Sequence, residues 1–96
     1  MVTIGMNYAV LAGKERVFEE AFANVLKAMD GMQGHDHSRL FREVGGEGSH
    51  YLIVSRWTSQ DAFDEFIASD RFRKVANWGR ENILAGRPSH TTYRED

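Results

Sequence analysis

Asn7 is the polar side chain best placed to take part in binding or catalysis. It stands in an alternating segment with Thr3, Gly5 and Ala9, whose small side chains leave room on the same face. If that face lies beneath helices, the room can admit a ligand, and the Asn7 amide offers it both a donor and an acceptor. The alternative is that Asn7 bonds a neighbouring backbone group and only packs.

The histidines could supply a base or a metal site. His35 and His37 are two apart in a segment typical of a strand, so their side chains should point the same way and could share a metal ion. Because Asp36 points to the other face and no third ligand lies at a suitable spacing, we favour a solvated strand start without a metal. His37 is the candidate base at a pocket mouth, because imidazole titrates near neutral pH. His50 lies at a hairpin turn, and His90 on the last strand could reach a pocket or a partner subunit.

Aromatic side chains are the candidate walls of a binding pocket. Trp78, in the segment V-A-N-W-G, lies where a lid would cover such a pocket and could stack on a flat ligand; the alternative is core packing. Phe22, Phe63, Phe66 and Phe72 belong mainly to the core, with one or two of them expected along a cavity. We expect Asn7 and Phe66 to line the same cavity.

The composition is that of one globular domain spanning residues 1–96. Hydrophobic residues make up 42% of the chain, and 12 basic against 14 acidic residues leave a net charge of −2 that is not gathered into blocks. Neither a nucleic acid nor an anionic membrane is therefore expected as a partner. No apolar run approaches the roughly 20 residues of a membrane span, no signal peptide is visible, and the sequence contains no cysteine. We expect a cytoplasmic protein.

Hydrophobic periodicity predicts four strands and two helices, the second of them broken near Ser69. Thr58 is the predicted N-cap of the second helix, with Asp61 as the acidic partner of a capping box. Gly31 and Gly34 bracket the end of the first helix. In order, the predicted elements are a strand at 2–11, a helix at 14–32, strands at 35–44 and 51–57, a helix from 58, its continuation at 71–84 and a strand at 89–93.

This order, β-α-β-β-α-β, is the ferredoxin-like arrangement of the α+β class, with a four-stranded antiparallel sheet and both helices on one face. Helices cover only one face of such a sheet, yet the first strand carries apolar residues on both faces. We therefore expect a homodimer that buries the face formed by Ile4, Met6 and Tyr8, with the two sheets stacked into a barrel.

Three segments carry a resemblance to a known family. They are M-N-Y on the first strand, F-E-E-A-F on the first helix, and S-R-W-T-S-Q-D-A-F-D-E-F-I-A-S-D-R-F-R-K beginning at Ser55. Together they resemble the antibiotic biosynthesis monooxygenase family, whose members are dimeric α+β barrels of about this length. The resemblance implies a homodimer and a pocket between the sheet and the helices. Family members include cofactor-independent oxygenases of polycyclic phenols and quinols, haem-degrading monooxygenases and small-molecule isomerases, so chemistry does not transfer with the fold.

The sequence departs from the haem-degrading members of this family at the iron ligand. Those relatives use an asparagine on the first strand, a tryptophan on the second helix and, ten residues later, a histidine that binds iron. Asn7, Phe66 and Ala76 stand at these positions. Alanine cannot bind iron, so haem degradation by that route is not expected. The chain is also similar to domains appended to chlorite-dismutase-like haem proteins.

Three functions follow from the residues and the resemblance. The first is a monooxygenase that uses no metal or flavin, because an electron-rich, quinol-like aromatic substrate reduces dioxygen itself, with Asn7 and His37 as the catalytic polar groups. The alternatives are a non-catalytic dimeric binding module and a haem-associated domain that lacks the histidine ligand. A closed cavity that holds Asn7 and a histidine would favour catalysis, and a filled core would favour the module. The expected substrate-binding walls are Phe22, Phe63, Phe66 and Trp78.

Overall fold

The computed structural model describes residues 1–46 and 49–94, which form one four-stranded antiparallel sheet and three helices. No helix in these two ranges is long and apolar enough to cross a membrane. In chain order the elements are β1 (Val2–Val10), α1 (Glu15–Asp30), β2 (His35–Arg42), β3 (Ser49–Trp57), α2 (Gln60–Ile67), α3 (Asp70–Asn82) and β4 (Ser89–Arg94). The strand order β2-β3-β1-β4 confirms the predicted ferredoxin-like α+β fold, with the second helical region divided in two.

The two faces of β1 meet different surroundings. Ile4 and Met6 are buried beneath the helices, opposite Ser55 and Ile53 of β3. The expectation that Ile4, Met6 and Tyr8 face a partner subunit is therefore wrong. The apolar stripes of the helices need the larger apolar side chains of β1 as partners, since both surfaces would otherwise stay in water. The open face of the sheet carries the smaller residues of this strand, which are Thr3, Gly5, Asn7 and Ala9.

Hydrogen bonds from β3 hold the first half of α1 on the sheet. The Ser49 hydroxyl donates to the Glu15 carboxylate at 2.7 Å, and the Gly13 amide donates to the same carboxylate at 2.8 Å. One turn later, the Tyr51 hydroxyl donates to the Glu19 carboxylate at 2.6 Å. Burial and then the bond to Glu19 raise the pKa of Tyr51 to about 12, so its phenol stays a donor. These bonds fix the helix against the sheet.

The N-cap of α2 is Ser59, whose hydroxyl accepts from the Ala62 amide at 3.1 Å. The prediction of Thr58 as the cap is therefore wrong by one residue. The Thr58 amide donates to the Gly34 carbonyl at 2.8 Å, which links Thr58 to the loop between α1 and β2. Gly34 has a φ of +97°, and a Cβ there would lie 2.6 Å from the Ala62 Cβ, so this position requires glycine.

The predicted break between α2 and α3 is confirmed at Ser69. Its hydroxyl donates to the Phe66 carbonyl at 2.6 Å and accepts from the Phe72 amide at 3.3 Å, so one side chain closes α2 and caps α3. The far end of α3 returns to the sheet, where Leu84 forms an isolated bridge with Val10. The helix is thus tied at both ends.

Trp57 lies at the centre of the core. It is 0% exposed, and its ring centroid lies 5.9 Å from Phe63, 5.5 Å from Phe66 and 4.9 Å from His35. Its indole N–H has no hydrogen-bond partner among the described residues. This aromatic cluster fills part of the interior near α2, and open space remains between the sheet and the helices.

Candidate functional site

An apolar cavity of about 340 Å³ lies between the helix-covered face of the sheet and the three helices. Its size is near the lower end of the range in which proteins bind small organic molecules. Among the described residues that line it, none is acidic and none is lysine or arginine. The side chains with polar atoms are Tyr8, Trp78, Ser89 and His90. The lining therefore suits an apolar molecule with few polar atoms.

One wall of the cavity comes from α1, whose apolar residues recur at helical spacing. Phe18 and Met29 are buried on this stripe, and Phe22 and Val25 lie between them, half-buried where they face the open space. Because Ser49 and Tyr51 hold the carboxylates of the same helix, this wall keeps a fixed distance from the sheet.

The roof of the cavity comes from α3. Phe72 and Val75 line its first half, and the small residues Ala76 and Gly79 line its middle. Trp78 stands at the rim and is 42% exposed. The roof is therefore bulky at one end and thin at its centre, with an indole ring at the opening.

Tyr8 places a phenol inside this apolar cavity. Its ring packs against Phe18, with 5.3 Å between the centroids. Its hydroxyl donates to the Met6 sulfur at 3.8 Å, and a thioether is a weak acceptor. Burial raises the pKa of Tyr8, so at neutral pH the phenol stays protonated and can donate to a ligand oxygen. Tyr8 is absent from the site residues predicted from the sequence. The feature that could have identified it is a single hydroxyl group on the apolar side of an alternating strand.

His90 lies at the mouth of the cavity, on β4. It opposes Met6 across the β1–β4 pair, and its ring meets the Phe63 ring edge-on with 5.8 Å between the centroids. The residue is exposed while it also lines the cavity. An imidazole at this position can take a proton from a bound molecule and pass it to water. The sequence alone allows His90 to reach either a pocket or a partner subunit, and the structure places it at the pocket.

Three of the four predicted wall residues line the cavity. Phe22 comes from α1, Phe63 from α2 and Trp78 from α3. Phe66 does not line it, because its ring is enclosed between Trp57 at 5.5 Å and Phe72 at 4.9 Å. Both rings lie on the buried face of α2. Phe63 borders the open space, and Phe66 lies in the packed end of the core.

Asn7 and His37 lie on the open face of the sheet, away from the cavity. Asn7 is exposed and opposes Leu52 of β3, and the His37 Nδ1 lies 2.8 Å from the Asp36 carboxylate. We expected Asn7 and Phe66 to line the same cavity, but the structure places them apart. Alternate residues of a strand point to opposite faces of the sheet, and Asn7 points to the face that the helices do not cover. A catalytic role for Asn7 or His37 stays a prediction, and it would require a site on the open face.

A β-bulge between His35 and His37 turns their side chains to opposite faces of the sheet. The His35 side chain is 1% exposed and packs against Trp57. The expectation that His35 and His37 both point into solvent is therefore wrong for His35. Its Nε2 lies 2.8 Å from the Ser38 hydroxyl, and its Nδ1 lies 3.2 Å from the Asp30 carboxylate. Burial lowers the pKa of His35, so the ring is neutral at neutral pH and serves the core.

A family profile and a curated relative both match most of the chain. The sequence profile described as antibiotic biosynthesis monooxygenase matches residues 1–78. A protein of Natronomonas pharaonis named as a proposed heme-binding protein is 35% identical over 88 residues, which cover 92% of this chain. The chain spans only 14% of the length of that curated relative.

Solved structures share the fold over nearly the whole chain. SnoaB, a cofactor-independent oxygenase from Streptomyces nogalater, has a TM-score of 0.84 at 25% identity, with 99% of this chain and 92% of that one covered. A conserved protein from Methanosarcina mazei Go1 has a TM-score of 0.88 at 16% identity, with the same two coverages of 99% and 92%. The profile match and the shared fold agree, and the chain belongs to the antibiotic biosynthesis monooxygenase family.

Proposed function

We propose that this chain binds a small, flat aromatic molecule in the cavity between sheet and helices and oxygenates it without metal or flavin. The observation that carries the proposal is the apolar cavity of about 340 Å³, with the Tyr8 hydroxyl inside it and His90 at its mouth. Aromatic side chains line several sides of the cavity, so a planar ring system can stack on them. The likeness to SnoaB, described as a cofactor-independent oxygenase, supports the proposal.

In this proposal Tyr8 and His90 have different tasks. His90 accepts the proton that an electron-rich phenol or quinol must lose before it reacts with dioxygen. Tyr8, whose pKa is raised by burial, keeps its proton and donates a hydrogen bond to the ligand oxygen on which negative charge develops. The apolar walls keep water away from the resulting anion, which strengthens that hydrogen bond.

The proposed reaction balances without a further reductant. A CH₂ carbon held between aromatic rings and activated by the phenol loses two hydrogen atoms and gains one oxygen atom from dioxygen, which converts it to a carbonyl. The second oxygen atom leaves as water with the two hydrogen atoms, so the substrate supplies all the electrons that reduce dioxygen. The residues of the chain need only bind, deprotonate and shield the substrate.

Replacing Tyr8 by phenylalanine tests the role of the hydroxyl. The ring and its contact with Phe18 stay, and only the donor is lost. We expect oxygen uptake with polycyclic phenols that carry such a CH₂ carbon to fall roughly tenfold or more, because a hydrogen bond to a charged group is worth about 1.5–3 kcal/mol. The free energy of unfolding should change by less than about 1 kcal/mol, since the bond to sulfur is weak. An oxygen electrode measures uptake, and urea melts measure stability.

Tyr93→Phe is the matched control for this experiment. Tyr93 is 60% exposed and opposes Thr3 on the open face of the sheet, so the loss of its hydroxyl should leave uptake unchanged. Equal losses in both variants would contradict the role of Tyr8. A wild-type chain that consumes no oxygen with any polycyclic phenol that carries such a CH₂ carbon would contradict the proposed function.

Haem binding is the second candidate function, because the matching relative from Natronomonas pharaonis is named as a proposed heme-binding protein. The cavity fits haem poorly. Ala76 faces the cavity where haem-degrading relatives carry the iron ligand, and no arginine or lysine among the described lining residues can pair with the propionates. His90 is the lining residue that could bind iron. Hemin titration of the wild type and His90→Ala separates the candidates, since a stoichiometric complex lost in the variant would favour haem.

We also propose that two copies of the chain associate through the open face of the sheet. Phe41 and Tyr93 are 49% and 60% exposed there, beside the half-buried Leu52 and Val54. No described segment of the chain covers this face, and apolar patches of this kind mark interaction surfaces. Stacking two such sheets would bury the patch on both copies.

A lysine at the centre of the open face should separate the copies. Val54 opposes Gly5 on one side and Arg39 on the other, so Val54→Lys would bury two charges in a symmetric contact. Light scattering at micromolar concentration should give twice the mass of one chain for the wild type and the single mass for the variant. Ala23→Lys, at an exposed position on α1, should keep the double mass. A wild type with the mass of one chain would rule the association out.

A further inference from the structure

Gly79 is an unexpected residue at its position. It lies inside α3, three residues before the helix ends, and it is the buried residue of that helix. Glycine is among the least favourable residues in a helix interior, because it loses the most backbone freedom on folding. A glycine in such a place normally has a structural reason.

Neither of the usual structural reasons applies to Gly79. Among the described glycines, positive φ angles occur at Gly13, Gly34 and Gly45, and Gly79 has helical geometry. A Cβ built on Gly79 would come no closer than 3.9 Å to any neighbouring atom, which is ordinary van der Waals contact. Gly34 provides the contrast, since a Cβ there would lie only 2.6 Å from another carbon atom. The packing of the chain itself would therefore accept alanine at position 79.

The space beside Gly79 belongs to the cavity. The atoms nearest to the built Cβ are the side chains of Ile83 and Leu84, at 3.9–4.0 Å, and both residues line the cavity. One turn of α3 earlier, the small side chain of Ala76 also lines it. A methyl group on residue 79 would thus occupy volume that the thin centre of the roof now leaves open.

We infer that Gly79 determines how large an aromatic ligand the cavity accepts, an inference that rests on the proposed function. Because the glycine has no side chain, the roof leaves more space above the sheet, and a ligand of several fused rings fits between α3 and Tyr8. A methyl group at residue 79 overpacks the cavity when such a ligand is bound, and overpacking is strongly unfavourable in a close-packed interior. A single ring leaves room for the methyl group and is bound as before.

Gly79→Ala tests this role, with Gly86→Ala as the matched control. Gly86 lies outside α3 and the cavity lining, and a Cβ there meets nothing within 4 Å. Calorimetric titrations under nitrogen, where no turnover occurs, measure the binding of 2-hydroxyanthracene, which has three fused rings, and of phenol, which has one. We expect Gly79→Ala to weaken binding of the three-ring phenol roughly tenfold or more and to leave phenol binding unchanged. Gly86→Ala should bind both compounds as the wild type does.

Urea melts provide a second, ligand-free measurement. Gly79→Ala should raise the midpoint of unfolding, because alanine is the better helix former and the chain has room for the methyl group. A lowered midpoint would show that the glycine serves packing and would overturn the inference. Equal binding of 2-hydroxyanthracene by the wild type and Gly79→Ala would overturn it while the proposed function stands. A wild type that binds neither phenol would overturn the proposed function, and the inference with it.

Discussion

Truncating Phe66 to alanine is expected to lower the free energy of unfolding by about 3–5 kcal/mol, the usual loss for a phenylalanine in a packed core. Phe66 is 2% exposed and is enclosed by Trp57 and Phe72. It does not border the cavity, so its removal creates a new void instead of enlarging an existing space. Urea melts of the wild type and the variant measure the difference.

Two further variants place this loss in context. Phe22→Ala removes the same ring from a half-buried position that already borders the cavity, so its loss should be clearly smaller. Asn7→Ala changes an exposed residue on the open face and should stay within about 0.5 kcal/mol of the wild type. A Phe66→Ala loss no larger than that of Phe22→Ala would contradict the placement of Phe66 in the filled part of the core.

Acidification is expected to destabilise the chain through His35. Burial lowers the pKa of His35 below its ordinary value of 6.5, and this effect exceeds the opposing influence of the Asp30 and Asp36 carboxylates. As the pH falls below 6.5, the unfolded chain binds a proton that the folded chain does not. The stability that His35 contributes is therefore fully present above that pH and is lost as the pH falls towards the folded-state pKa. For one proton the slope can reach about 1.4 kcal/mol per pH unit.

Paired histidine variants isolate this effect. His35→Gln removes the titrating group and should flatten the loss of stability between about pH 7 and pH 5. His37→Gln removes an exposed imidazole from the open face and should keep the pH dependence of the wild type. Urea melts over this range measure all three proteins. A wild type that gains stability on acidification, or a His37→Gln curve as flat as that of His35→Gln, would contradict the assignment.

The elements of the fold could be predicted from the sequence because each one carries its own periodicity. The α1 stripe of Phe18, Phe22, Val25 and Met29 has helical spacing whatever the helix packs against. The cap of α2 could not be placed to the residue, since Thr58 and Ser59 are both good capping residues. A contact from elsewhere in the chain, the bond from the Thr58 amide to the Gly34 carbonyl, decides between them.

The site was harder to predict because it depends on which face of the sheet meets the helices. Alternation along β1 assigns Asn7 and Tyr8 to opposite faces without showing which face is covered. The bulge that separates His35 from His37 arises from pairing with β3 and leaves no mark in the local pattern. Phe22 and Phe63 could be predicted as aromatic wall residues, because each lies on the apolar side of its helix, and that side faces the sheet however the helix packs.

The fluorescence of the two tryptophans can report both ligand binding and unfolding. Trp57 is sealed in the core, whereas Trp78 stands partly exposed at the rim of the cavity. Indole fluorescence responds to local polarity, so a ligand entering the cavity should change the emission of Trp78, which lines it, while unfolding should change the emission of both indoles. The indole N–H of Trp57 has no partner among the described residues, so its emission in the folded state belongs at short wavelengths, apart from that of Trp78. Occupancy of the cavity and integrity of the core can therefore be followed in one sample, at two wavelengths, without a label.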